Sequence, residues 1–277
     1  MQLQDLYKQL VSLIPEETAE DFDRIGIQVQ SGVTELRRLL VTMEVTDAVL
    51  QEAVERSVDA IISFHPLIFP SIERIIDADR VGRIVTHLIQ HRIALVVVHT
   101  NLDAHPEGTN TFLARQLGAT VEGPLVPHPD HPDYGMGRIG KFHQPITISE
   151  LLDRLYQLLK SPLRFTAGSK ELVQSIAIVA GSGRSFLREA IASGVDAFIT
   201  ADLKYHDFHS VDGRCVLVDV GHYEMEQFVP VILEKFLQRI VPEGKVEIYR
   251  STVLPNPVWY YPQTRLFRQW QAEVLIK

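Results

Sequence analysis

Five side chains able to hold a divalent metal stand at the ends of three apolar runs. His65 closes AIISFHP, His99 and Asp103 follow LVVV, and His222 and Glu226 follow CVLVDVG. Imidazole and carboxylate suit a borderline ion such as zinc, iron or manganese, and a carboxylate can bridge two ions and a shared water. Each run is β-branched and short, as expected of a buried strand that delivers polar groups to the loop at its tip. Recurrence of one ligand chemistry at three strand ends carries more weight than any single histidine.

Strands over 36–45 and 59–66 and a third ending at His99, separated by helical stretches, predict a mostly parallel sheet with right-handed crossovers, whose sites lie at the carboxyl ends of its strands. Thr46 or Asp47 is the expected cap of a helix over 46–58. Residues 71–92 supply further helical material, Thr109 or Asn110 is the expected cap of a helix over 108–118, and Ser149 of one that follows. The irregular stretch 123–137, dense in Pro, Asp, Gly and His, reads as a boundary, with His128 and His131 as exposed loop residues. The units near 36–125 and 176–240 look related. The reading is therefore an α/β protein of two lobes, with metal-binding ends facing one cleft. One lobe spans 1–125 with a contribution from 240–277, and the other spans 126–240. The tail, with Leu266, Phe267, Trp270 and Val274, has helical spacing.

Gly181-Ser182-Gly183 imitates a phosphate-binding turn, with Ser182 and Ser185 as candidates for phosphate contact. It lacks the third glycine of a dinucleotide fingerprint and the lysine of a P-loop, so a tight strand-to-helix turn is the favoured reading. If a helix has begun by His222, the i, i+4 spacing puts His222 and Glu226 on one face. Glu224 points elsewhere and is a candidate base.

The net charge of −8 gives no basic footprint for nucleic acid. The single cysteine, Cys215, cannot form an internal disulfide and reads as a buried hydrophobe in a reducing compartment. No secretory leader and no run of 18 apolar residues is evident, so a cytoplasmic protein without membrane contact is expected.

Six phrases, FDRIGIQV, ISFHPLIFPS, HTNLDAHPEGTN, VAGSGRSFL, DAFITADLKYHD and DVGHYEMEQ, resemble in order the motifs of the NIF3-like family, whose bacterial members are called GTP cyclohydrolase 1 type 2 homologues. The resemblance implies a NIF3-like fold, a dinuclear metal site and a closed homo-oligomer, commonly a hexamer. Carried over, His65 and Asp103 are ligands of a first metal, His222 of a second, and Glu226 bridges both. Phe64 stands where the family has a further histidine, and a benzyl group cannot coordinate. His99 is the candidate replacement, so one tightly held ion and a weaker second are expected. The resemblance also turns Arg24, Lys204 and His206 toward the site, Arg24 for an anionic ligand and the other two, with Glu224, as catalytic candidates. Three functions stay open: a metal-dependent hydrolase acting on a purine nucleotide, a metal-binding scaffold or regulator, and a metal-handling protein.

Overall fold

The computed structural model describes residues 1–168, 170–254 and 256–260. The chain divides into two compact units. The first comprises Met1–Leu102 and Phe228–Pro255; the second comprises Asp103–Gln227 and the described residues from Asn256 onward. The division expected from sequence, at residues 125 and 240, falls elsewhere. The strand Thr120–Gly123 pairs with Arg138–Thr147 and so belongs with the second sheet. The helix Val229–Ile240 packs against Leu3–Leu13 and the strand Arg38–Thr42, which ties it to the first.

In the first unit, a five-stranded sheet runs in the order Gly26–Val29, Ala94–Val97, Ala60–Ser63, Arg38–Thr42, Glu247–Arg250. All neighbours are parallel except Gly26–Val29, which runs antiparallel to Ala94–Val97. Apart from the half-buried Arg38, the three central strands are buried at every position, which explains their mostly apolar character. Thr46 caps the helix Asp47–Glu55, its hydroxyl accepting from Val49 N–H at 3.2 Å, as the sequence predicts. Val49 and Ala53 then face a core that also holds Leu40, Ile61, Ile84 and Leu95. The helix before Ala94–Val97 is shorter than expected: it covers Arg80–Gln90, because Asp79 accepts from Val81 N–H and so starts it there.

The second unit has a six-stranded sheet in the order Thr120–Gly123, Arg138–Thr147, Leu172–Ile178, Ala197–Thr200, Val216–Asp219, Arg164–Phe165. Its centre, Leu172–Ile178 with Ala197–Thr200 and Val216–Asp219, is parallel; the flanking pairs are antiparallel. Two expected caps differ. Gly108, not Thr109 or Asn110, precedes the helix Thr109–Gln116, because the Asn110 side chain is used elsewhere. Thr147, not Ser149, caps Ile148–Leu159 and accepts from Glu150 N–H at 3.1 Å. Cys215 is buried, and burial pushes its thiol pKa up. The expected helix in the tail lies outside the described residues. Among the described residues, no helix is long and apolar enough to cross a membrane.

Candidate metal centre

The donor residues fall into two groups, one in each unit. In the first unit, His65 follows the strand Ala60–Ser63 and extends its ladder, with its N–H on Met43 O at 2.8 Å and that of Phe64 on Thr42 O at 3.1 Å. Its ring is fixed by Glu44, whose Oε2 lies 3.0 Å from Nδ1. Arg80 holds the other oxygen of Glu44 at 2.9 Å. Burial works to raise the Glu44 pKa, but the bonds to His65 and Arg80 outweigh it and keep the carboxyl below its usual range.

His99 is fixed the same way by Asp23, whose Oδ1 lies 2.9 Å from Nδ1. The second oxygen of Asp23 accepts from Thr100 N–H at 3.0 Å and from its hydroxyl at 2.5 Å. Against the effect of burial, these bonds lower the Asp23 pKa to about 2. A carboxylate behind an imidazole sets the tautomer and leaves the opposite nitrogen for a ligand. Neither Glu44 nor Asp23 was legible in this role, although Glu44 stands, like the histidines, just past the carboxyl end of a strand. Phe64 is fully buried, with ring centroids 5.2 Å from His65 and 5.1 Å from His99, while the two imidazoles lie 5.4 Å apart. It is thus an apolar wall that both rings rest on. Arg24 is exposed, and its guanidinium donates to the backbone carbonyls of Phe22 and Asp23.

In the second unit, Asp103 is buried near the end of the short helix Thr100–Ala104. Asn110 donates to the Asp103 carbonyl at 3.1 Å and accepts from Ala180 N–H at 2.7 Å, tying this turn to the glycine loop. Arg138 is also buried; it donates to the carbonyls of Ala104, Gly135 and Gly137 and to the Thr111 hydroxyl. Burial lowers its pKa to about 10, with the Asp103 charge the main opposing influence.

His222 opens the helix His222–Glu226, which meets the condition for the i, i+4 spacing to put it and Glu226 on one face, and its two nitrogens meet two carboxylates. Asp202 Oδ2 lies 2.7 Å from Nδ1, and Glu226 Oε2 lies 3.0 Å from Nε2. Burial would lower the His222 pKa, but the two carboxylates raise it to about 11. Asp202, in the left-handed region at φ 58°, was not singled out by sequence; its clue is its place just past a buried strand.

Gly181 lies directly beneath this pair. A Cβ there would stand 2.4 Å from Glu226 Oε1 and 3.2 Å from the His222 ring, and its φ is +64°. The glycine turn therefore makes room for the two side chains. Thr200 braces it by accepting from Gly183 N–H and donating to Gly181 O. Ser182 and Ser185 are exposed, and the helical stretch beyond begins with the 3-10 turn Arg184–Phe186 before Leu187–Ala192. Lys204 and His206 are exposed, with His206 edge-on to Tyr205. Glu224 is buried and turned to Asn256 and Tyr260.

His222 and Glu226 offer an imidazole and a carboxylate in the second unit, and His65 offers an imidazole in the first, donor chemistry that suits a divalent ion. The residues present fit such an ion in two respects. Every imidazole has a carboxylate behind it, and at His222 and Glu226 the backbone carries no side chain where the donors need space.

The Duf34/NIF3 (NGG1p interacting factor 3) family matches residues 1–257. A Streptomyces coelicolor protein named GTP cyclohydrolase 1 type 2 homolog is 32% identical over 231 residues, covering 81% of each chain. One of the same name from Streptococcus pneumoniae is 32% identical over 251 residues, covering 88% of this chain and 93% of its own. Among solved structures, a hypothetical protein of Staphylococcus aureus superposes with a TM-score of 0.84 at 26% identity, covering 94% of this chain and 99% of its own. A Bacillus cereus protein related to NIF3 has a TM-score of 0.83 at 21% identity, over the same 94% and 99%, and speaks for the fold alone. With a match that takes in all five donors and nearly the whole described chain, this protein belongs to the Duf34/NIF3 family.

Proposed function

We propose that this protein holds a divalent metal ion through His65, His222 and Glu226, with Asp103 as a further ligand and His99 as the donor that replaces the side chain lost at Phe64. The observation that carries the reading is His222 set between Asp202 and Glu226, over a glycine that leaves room for both ligands. An imidazole oriented from behind by one carboxylate and paired with a second is how proteins commonly present nitrogen and oxygen to zinc, iron or manganese. One ion is held tightly and a second weakly, because a buried phenyl ring at position 64 offers no donor.

The relatives' name, GTP cyclohydrolase 1 type 2 homolog, supports a finer reading: metal-dependent hydrolysis of a purine nucleotide. A bound ion would supply a water of lowered pKa. In that reading Lys204, His206 and Arg24 are available to a substrate because they are exposed, and Ser182 and Ser185 are the hydroxyls nearest the glycine turn in sequence. Glu224 suits the role of base least, since its carboxylate is already engaged. A closed homo-oligomer, a hexamer first, and a place in the cytoplasm complete the proposal.

Elemental analysis of purified Asp103→Ala and Glu226→Ala tests the metal. Both should carry less divalent metal than the unaltered protein, and undiminished metal in both would remove the proposed centre. Turnover of a nucleotide panel in the presence of added metal tests the finer reading. Metal bound without turnover of any nucleotide would favour a scaffold or metal-handling role.

A further inference from the structure

We infer that Asn256–Tyr260 is a strap that positions the ligand helix His222–Glu226, acting through Glu224. The inference rests on the metal-binding reading of that helix. Glu224 sits between the two ligands in sequence and is 1% exposed. Its Oε1 accepts from the Asn256 side chain at 3.3 Å, and Tyr260 hydrogen-bonds to the same carboxylate. Tyr260 also hydrogen-bonds to the fully buried Ser161, just beyond the helix Ile148–Leu159. A chain of polar groups thus runs from Ser161 through Tyr260 to Glu224, all within the second unit.

Two physical arguments make this more than a surface contact. A helix of five residues is a single turn, too short to be stable without outside fixing. A buried carboxylate without partners is costly, so Glu224 ties the helix to whatever supplies them, and the strap supplies two. The backbone at Gly221 is shaped around the same contact: a Cβ there would lie 2.3 Å from Glu224 Oε2 and 2.9 Å from the Tyr260 hydroxyl. The strap is itself braced, since Asn256 Oδ1 accepts from Val258 N–H at 3.0 Å. Asn256 and Tyr260 are therefore positioning residues, acting on the helix through Glu224. Linkage makes the coupling reciprocal: if the strap favours the metal-ready helix, metal must favour the docked strap.

The chain has two tryptophans, and Trp259 lies in the strap. In full-length Trp270→Phe, Trp259 is the sole tryptophan, and Zn²⁺ titration should change its emission with the midpoint of Zn²⁺ binding. Added singly, Tyr260→Phe and Asn256→Ala should each weaken Zn²⁺ binding about tenfold, the usual effect of losing a group that orients a ligand. The metal-free melting temperature should fall by no more than about 4 °C. Zn²⁺ bound at undiminished strength by both variants, or an unchanged Trp259 emission on saturation, would overturn the strap while leaving the metal site intact. Failure of the unaltered protein to bind Zn²⁺ would overturn the metal reading itself. Should either variant fail to fold, the emission of Trp259 in the otherwise unaltered chain still decides.

Discussion

Asp202 Oδ2 stands 2.7 Å from His222 Nδ1, on the side of the ring opposite Glu226. With a carboxylate at each nitrogen, the metal-free imidazole keeps its proton up to a pKa of about 11. A metal ion takes only the neutral ring, so binding at pH 8 must expel a proton. Titration calorimetry in two buffers of different ionisation enthalpy should show about one proton released per ion. Equal heats in both buffers would count against His222 as a ligand.

The same pair carries a stability prediction. His222 has a raised folded pKa, so its contribution to the metal-free protein is fully present below the unfolded value near 6.5 and is lost as pH rises toward about 11. Asp202→Asn should flatten the alkaline fall in melting temperature and weaken metal binding by about 10–100-fold. A metal-free protein equally stable from pH 6 to 10 would show that the two carboxylates do not hold this proton.

Asp23 works in the opposite direction. Its folded pKa is lowered to about 2, so its stabilisation is present above the unfolded value near 3.8 and is lost as pH falls through about 2. The shift corresponds to about 2 kcal/mol at neutral pH. Asp23→Asn should lower stability in denaturant unfolding at pH 7 by roughly that amount and remove the difference at pH 2. It should also loosen His99 and with it the weaker of the two proposed ions.

Gly181→Ala should be damaging twice over. Its backbone lies in the left-handed region, where a side chain costs about 1–2 kcal/mol. The new methyl would also displace Glu226 Oε1 and the His222 ring. Metal content should fall further than stability does. A variant with normal metal by elemental analysis would show that the turn has no bearing on the ligands.

Phe64→His should raise the number of ions bound at saturation, and His99→Ala should lower it. The first substitution places an imidazole against His65 and His99, the two rings Phe64 touches. Two equally tight ions in the unaltered protein, indifferent to loss of His99, would show that Phe64 is not the cause of a weak second position.

Light scattering at low micromolar concentration should find a closed homo-oligomer, as symmetric assembly buries apolar faces without leaving a growing edge. A stable monomer would contradict it.

The strand-end histidines and acids were legible because buried β-branched runs are local patterns, and each of these donors comes at or just beyond the carboxyl end of one. The groups that orient them were not. Asp23 reaches His99 across 76 residues, Glu44 reaches His65 across 21, and Asp202 reaches His222 across 20. Such pairs depend on which strands lie side by side, and no spacing rule encodes that. The same holds for the unit boundaries. The pairing of Thr120–Gly123 with Arg138–Thr147 decides the first boundary, whereas the sequence shows only a proline-rich stretch just beyond. Thr109 or Asn110 is the expected helix cap because such residues favour caps, yet Asn110 is buried and its side chain is taken up by two backbone partners, nearby Asp103 O and the distant Ala180 N–H.

The edge pairing of Glu247–Arg250 with Arg38–Thr42 bears on how the chain is made. On the ribosome the strand Arg38–Thr42 must wait for about two hundred further residues before this edge partner emerges. Residues 103–227, which carry every strand of the second sheet, emerge before that last strand and are free to form their sheet first. Until Glu247–Arg250 emerges, the strand Arg38–Thr42 has an open flank, an unpaired edge at which the nascent chain is exposed to aggregation.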